Sequence, residues 1–177
     1  INNPTGNVML KALISHVIRE QQNYTFVVDQ SYEGYTTKSM LVPNEMMDCH
    51  NLILLQSMTK QFCIPGLRLG YITASPILID RLRQLRQPWT VNALAIEAGK
   101  FLIESHLEVI PDKNAYLEEA CRLHSELSKI PGLMLMDSDA NFMLCYLERG
   151  TSAHLKQWLI NNYGILIRDV RTYKSIV

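Results

Sequence analysis

Three polar clusters in this sequence hold residue types that can do chemistry. They are Asn3-Pro4-Thr5-Gly6, Asp29 with Tyr32 three residues on, and Ser57-Met58-Thr59-Lys60 with Arg68 eight residues beyond the lysine. Gly66 and Gly70 flank that arginine. A lysine among hydroxyls, near an arginine and a strand-end carboxylate, has the parts to form a Schiff base with a phosphorylated aldehyde. Taken singly, each cluster has a plainer reading. An Asn-Pro-Thr-Gly turn is commonly structural, an aspartate ending a strand commonly caps or pairs, and a surface lysine is commonly only solvated. Their order along the chain is what gives them weight.

The elements that would position these clusters can be read from periodicity. Apolar residues at helical spacing (Val8, Leu10, Leu13, Ile14, Val17, Ile18) predict a helix over 8–22. Phe26–Asp29 reads as a short buried strand ending in a carboxylate, and a polar loop with aromatics follows over 30–51. A second apolar strand spans 52–55 and ends at Ser57, and a third spans 69–74. Ser75 before Pro76 reads as an N-cap opening a helix to Gln87. Two further helices are expected over 91–104 and 112–130, the second amphipathic and ended by Pro131-Gly132. Strands over 133–136 and 142–147, a helix over 153–163 and a strand over 165–167 complete the reading. This is the grammar of an α/β layer protein, whose ligands sit at strand ends. The reading divides the chain into 1–110 and 111–177, the second part a long helix leading into a small α+β unit.

Composition narrows the class. The 177 residues carry 17 Lys+Arg against 17 Asp+Glu, with 47% hydrophobic and 19% charged residues. That balance excludes a disordered tail or a strongly basic nucleic-acid binder. No apolar run approaches the roughly 18–20 residues that span a bilayer. Cys49, Cys63, Cys121 and Cys145 are scattered, with no CxxC pair, and the five histidines form no metal-binding pattern. Reduced thiols in a cytoplasmic protein, without metal, membrane or nucleic-acid partners, are expected. Ile1 is no natural initiator, so the chain reads as a piece of a longer protein.

With these motifs in this order, and the lysine-to-arginine gap of eight, the sequence resembles fold-type I pyridoxal-phosphate enzymes of the aspartate aminotransferase superfamily. The matching strings are Asn3-Pro4-Thr5-Gly6, Asp29-Gln30-Ser31-Tyr32, and Ser57-Met58-Thr59-Lys60 through Gly66-Leu67-Arg68-Leu69-Gly70-Tyr71. The resemblance implies part of a large α/β domain with a mostly parallel sheet, then a smaller C-terminal α+β domain, in a homodimer. It implies pyridoxal 5'-phosphate held by Lys60 as a Schiff base, with Lys60 also moving protons at the substrate Cα. By the same resemblance Asp29 pairs with the pyridine nitrogen, and Asn3 and Tyr32 bond the ring's phenolic oxygen. Arg68 would clamp the phosphate, with Ser57 and Thr59 donating hydroxyl hydrogen bonds.

The string Arg86-Gln87-Pro88-Trp89-Thr90-Val91-Asn92-Ala93-Leu94-Ala95 is similar to the branch holding threonine-phosphate decarboxylases and histidinol-phosphate aminotransferases, its wording nearer the former. The plain alternative there is a helix N-terminus with a packed tryptophan. Asp139-Ala140-Asn141-Phe142 resembles a small-domain strand of that branch. Ile165-Leu166-Ile167-Arg168-Asp169 resembles a segment whose arginine binds substrate phosphate, which makes Arg168 the substrate-side candidate. The expected activity is decarboxylation of O-phospho-L-threonine in cobalamin side-chain synthesis. The alternatives are amino transfer between histidinol phosphate and 2-oxoglutarate, and a non-catalytic module that kept the fold. The family's glycine-containing phosphate loop and its ring-stacking aromatic are not in this sequence. Its carboxylate-binding arginine is expected beyond Val177, and Arg171 and Lys174 have no assigned role.

Overall fold

The computed structural model describes residues 1–105, 110 and 112–170. Helix α1 (Lys11–Glu20) starts later than the apolar pattern suggests, because Leu10 is extended (ψ 123°) and the Val8 N–H bonds the Asp139 side chain. Ile14 and Ile18, one turn apart, face the sheet and pack in a core with Leu41, Met46, Cys49, Leu52 and Leu54. Asn51 closes the far end of α1. Its amide nitrogen lies 3.0, 3.2 and 3.1 Å from the carbonyl oxygens of Ile18, Gln21 and Tyr24, satisfying groups that a helix C-terminus leaves open.

Strands β1 (Phe26–Asp29) and β2 (Leu52–Ser57) run parallel, Phe26 opposite Leu52 and Asp29 opposite Leu55. Strand β3 (Gly70–Ala74) runs antiparallel to β2, Ser57 opposite Gly70 and Ile53 opposite Ala74. The sheet is therefore mixed, in the order β1-β2-β3, and the expectation of a mostly parallel sheet is corrected. The physical reason is the short connection. Residues 58–69 make one helical turn and a 3-10 turn, too little for the crossover a parallel neighbour needs. A Cβ at Gly70 would stand 2.7 Å from the Gln56 carbonyl oxygen, so β3 closes onto β2 only with glycine there.

Helix α3 (Pro76–Leu85) follows directly. Ser75 does not cap it as expected, and its hydroxyl instead donates to the His50 carbonyl at 3.3 Å. Helix α4 (Ala93–Glu104) is capped by Asn92, and helix α5 (Lys113–Leu127) by Asp112. Strands β4 (Leu133–Leu135) and β5 (Cys145–Leu147) form an antiparallel pair, followed by helix α6 (Ser152–Tyr163), which stops at Gly164 in the left-handed region. Residues 165–167 form no strand. No clear second domain separates in the described residues. Asp139 bonds back to residues 6 and 8, and the Phe142 ring packs on Tyr32. The anticipated boundary at 110/111 adjoins residues 106–109 and 111, which lie outside the described residues, as do Arg171 and Lys174.

Candidate active site

The mixed sheet decides where the polar clusters go. Asp29 ends β1 and Ser57 ends β2 at one edge of the sheet. Because β3 returns antiparallel, Arg68, just before it, comes back to that same edge. Lys60 is not on an open loop but in a one-turn helix, α2 (Met58–Gln61). Asp29, Ser57, Thr59, Lys60 and Arg68 all line one cavity of about 850 Å³.

The local geometry is specific. The hydroxyls of Ser57 and Thr59 are 2.7 Å apart. Arg68 sits in the left-handed region (φ 56°), as does Cys63 (φ 55°), so two non-glycine residues that follow the lysine turn adopt a conformation that sequences avoid unless the surroundings impose it. One Arg68 nitrogen donates to the Pro65 carbonyl at 3.0 Å, which aims the guanidinium while its other N–H groups can meet an anion. The Asp29 carboxylate accepts the Ser31 N–H at 2.8 Å through one oxygen.

Tyr32 lines a second cavity and reaches the lysine of the first. The Lys60 ammonium lies 5.1 Å from the Tyr32 ring centroid. Asn3 donates from Nδ2 to the Tyr32 hydroxyl oxygen at 3.0 Å, so the phenol keeps its own proton to donate elsewhere. Asn3, Tyr32 and Arg168 line the second cavity, about 500 Å³, with an apolar wall that includes Phe142 and Leu155. The structure thus gathers Asp29, Ser57, Thr59, Lys60 and Arg68 at one cavity, and Asn3, Tyr32 and Arg168 at another.

The Trp89 segment is placed otherwise than a packed tryptophan. Trp89 is 98% exposed and left-handed (φ 63°). Its neighbour Asn92 is the informative residue, accepting the Ala95 N–H at 2.9 Å and donating to the Leu67 carbonyl at 3.2 Å. That bond ties the start of α4 to the loop carrying Arg68. A helix N-cap is readable in the sequence, but its reach to Leu67 is not. Tyr35, whose hydroxyl donates to the Lys60 carbonyl at 2.7 Å, was also missed. Its three-residue spacing from Tyr32 was the available signal. Among the described residues no group of three or more His, Cys, Asp or Glu could hold a metal ion, and no helix is long and apolar enough to cross a membrane.

Residues 1–175 match the family model for aminotransferase class I and II. The chain belongs to that family, within the fold-type I pyridoxal-phosphate enzymes. The L-threonine-O-3-phosphate decarboxylase from Porphyromonas gingivalis superposes with a TM-score of 0.94 at 32% identity, over 99% of this chain and 54% of that one. The histidinol-phosphate aminotransferase from Clostridium acetobutylicum gives 0.76 at 26% identity, over 94% and 51%. A histidinol-phosphate aminotransferase of a Thermoanaerobacter species is 36% identical over 171 residues, 95% of this chain and 46% of its own length. The chain spans about half the length of these relatives.

Proposed function

We propose that the full-length protein is a pyridoxal-phosphate enzyme that decarboxylates O-phospho-L-threonine. The observation that carries the reading is a pair of cavities, one lined by an amine, a carboxylate, paired hydroxyls and a guanidinium, the other by Tyr32 and Arg168, with Lys60 Nζ of the first 5.1 Å from the Tyr32 ring of the second. The likeness to the Porphyromonas gingivalis decarboxylase supports this choice of substrate.

The donor set fits pyridoxal phosphate. Arg68 with the Ser57–Thr59 hydroxyl pair is chemistry for a phosphate, Asp29 offers a fixed anion for a pyridinium N–H, and Asn3 with Tyr32 offers donors for a phenolic oxygen. When bound, the cofactor supplies an electron-withdrawing ring that stabilises negative charge at the substrate Cα. In this reading Lys60 Nζ is the point of covalent attachment, and once released it delivers the proton to Cα after CO2 has left. Asp29 keeps the ring nitrogen protonated by holding a negative charge against it. Tyr32 and Asn3 orient the ring. Arg168 holds the substrate's phosphate in the cavity it shares with Tyr32, which fixes which Cα bond is presented for cleavage.

A second reading, amino transfer from histidinol phosphate to 2-oxoglutarate, has its own support in the 36% identity to the Thermoanaerobacter aminotransferase. A homodimer in the cytoplasm completes the proposal. The exposed apolar side chains of Leu85, Leu94 and Ile103 support a buried interface in the whole protein, and sedimentation of that protein tests it. The deciding assay is CO2 release from O-phospho-L-threonine by the full-length, cofactor-loaded protein without a keto acid. Steady release that Lys60→Ala removes is expected. No release, with glutamate formed from histidinol phosphate and 2-oxoglutarate, would replace this reading with the second.

A further inference from the structure

Lys60 is held at both ends by one loop. Its ammonium faces the ring of Tyr32, and its backbone carbonyl accepts the hydroxyl of Tyr35 at 2.7 Å. Tyr32 and Tyr35 are three residues apart across a 3-10 turn (Glu33–Tyr35), the spacing at which side chains eclipse and share a face. The Lys60 carbonyl belongs to the last turn of α2, where helical partners run out. It is met there also by the Cys63 N–H at 3.2 Å, from a residue forced into the left-handed region. Tyr35 itself is 7% exposed, and its ring meets Tyr116 of α5 edge-on, with centroids 5.5 Å apart at 85°.

We propose that Tyr35 is a positioning residue for Lys60: its hydroxyl sets the lysine carbonyl, and with it the direction in which Nζ leaves the turn, while Tyr116 anchors that setting to the long helix. This rests on the assignment of Lys60 as the cofactor-binding lysine. Burial, and after it the neighbouring Cys63, push the Tyr35 hydroxyl up to about 12, so it remains a donor across the neutral range. The bond is charge-neutral and hidden, which is why its loss would be felt as misplacement of the amine and not as a lost contact to any ligand.

The test uses the full-length protein in three forms: wild type, Tyr35→Phe, and protein with a ring-fluorinated tyrosine at position 35. Borohydride reduction and peptide mapping locate the cofactor-linked lysine. The absorbance of the lysine-bound chromophore is titrated with pH, and backbone hydrogen exchange at residues 62 and 63 is followed without cofactor. The expected result is an adduct at Lys60 throughout, with a displaced titration midpoint and faster exchange in Tyr35→Phe. Its kcat should fall about tenfold while KM changes less than about twofold. An adduct at Lys60 with midpoint, kcat and exchange all unchanged in Tyr35→Phe would overturn the positioning role alone. An adduct at another lysine, or none in the wild type, would overturn the Lys60 assignment beneath it. If Tyr35→Phe does not fold, the fluorinated protein decides. Its more acidic hydroxyl donates a stronger bond to the Lys60 carbonyl at nearly the same size, so the chromophore's titration midpoint and the exchange rate at residue 63 both move, and both unmoved overturn the proposal.

Discussion

Asp139 accepts the backbone N–H of Val8 through Oδ2 at 3.1 Å, across 131 residues of sequence. The same aspartate donates its own N–H to the Gly6 carbonyl at 3.1 Å, and its other oxygen lies 3.5 Å from the Lys38 ammonium. The turn that carries Asn3 is thus fastened by a residue far along the sequence. Gly6 is left-handed (φ 77°), and a Cβ on it would come within 1.9 Å of the Ser138 hydroxyl oxygen.

Gly6→Ala should therefore cost about 2–4 kcal/mol, from backbone strain and the displaced Ser138 together. Asp139→Ala should cost about 1–3 kcal/mol, because it strands the Val8 N–H. Denaturant unfolding of the full-length protein measures both. A Gly6→Ala variant as stable as the parent would mean that the fastening is not formed.

At the lysine, Lys60→Ala should remove the absorbance of the lysine-bound cofactor outright, and an unchanged spectrum would refute the assignment. Arg68→Lys should weaken cofactor retention by about tenfold, since an ammonium replaces a planar fork already steered by the Pro65 carbonyl. Equilibrium dialysis against free cofactor measures this.

Arg168→Ala should weaken O-phospho-L-threonine far more than unphosphorylated threonine, by about 2–3 kcal/mol of discrimination if it meets the phosphate with charge-assisted hydrogen bonds. Equal losses for the two substrates would make the arginine structural. Comparing kcat/KM for the pair separates the outcomes.

Glu33 carries a pH prediction. Burial raises its carboxyl above the ordinary value. A raised folded value means that the group's contribution to stability is complete below the unfolded carboxylate range and is lost as pH rises through the folded value. Ionised Glu33 therefore weighs against the fold at neutral pH. Glu33→Gln should raise Tm by about 2 °C at pH 7 and by nothing in strong acid. Tyr71, whose phenol is raised first by burial and then by the Glu33 charge, should titrate lower in the variant. Ultraviolet titration of tyrosinate reads that directly.

Much of this was legible in the sequence, and the failures have physical causes. Strand β1 and the apolar stretch of β2 follow from short apolar runs, and the three polar clusters do converge around Lys60 and Tyr32. Period and composition report that a segment is a strand but not the direction of its neighbour, so β3 could not be oriented from residues 69–74. Ser75 carries the residue type of a cap, yet its hydroxyl is turned to donate to the His50 carbonyl, which only the folded chain brings near, and its oxygen accepts no N–H of the helix. Trp89 is large and apolar, but its left-handed backbone turns it outward. Tyr35 stands three residues beyond Tyr32 in the sequence, but its partner is the Lys60 backbone carbonyl, which no side-chain pattern singles out.

The antiparallel return of β3 has a consequence for how the molecule assembles in time. Ser57, Lys60 and Arg68 lie in one excursion closed by the Ser57–Gly70 pairing, so this part of the site needs only short loops to form. The Val8–Asp139 link closes a loop of 131 residues. In refolding, a local excursion precedes a link of such high contact order. The excursion that carries Ser57, Lys60 and Arg68 is thus in place before Asp139 fastens the turn that carries Asn3.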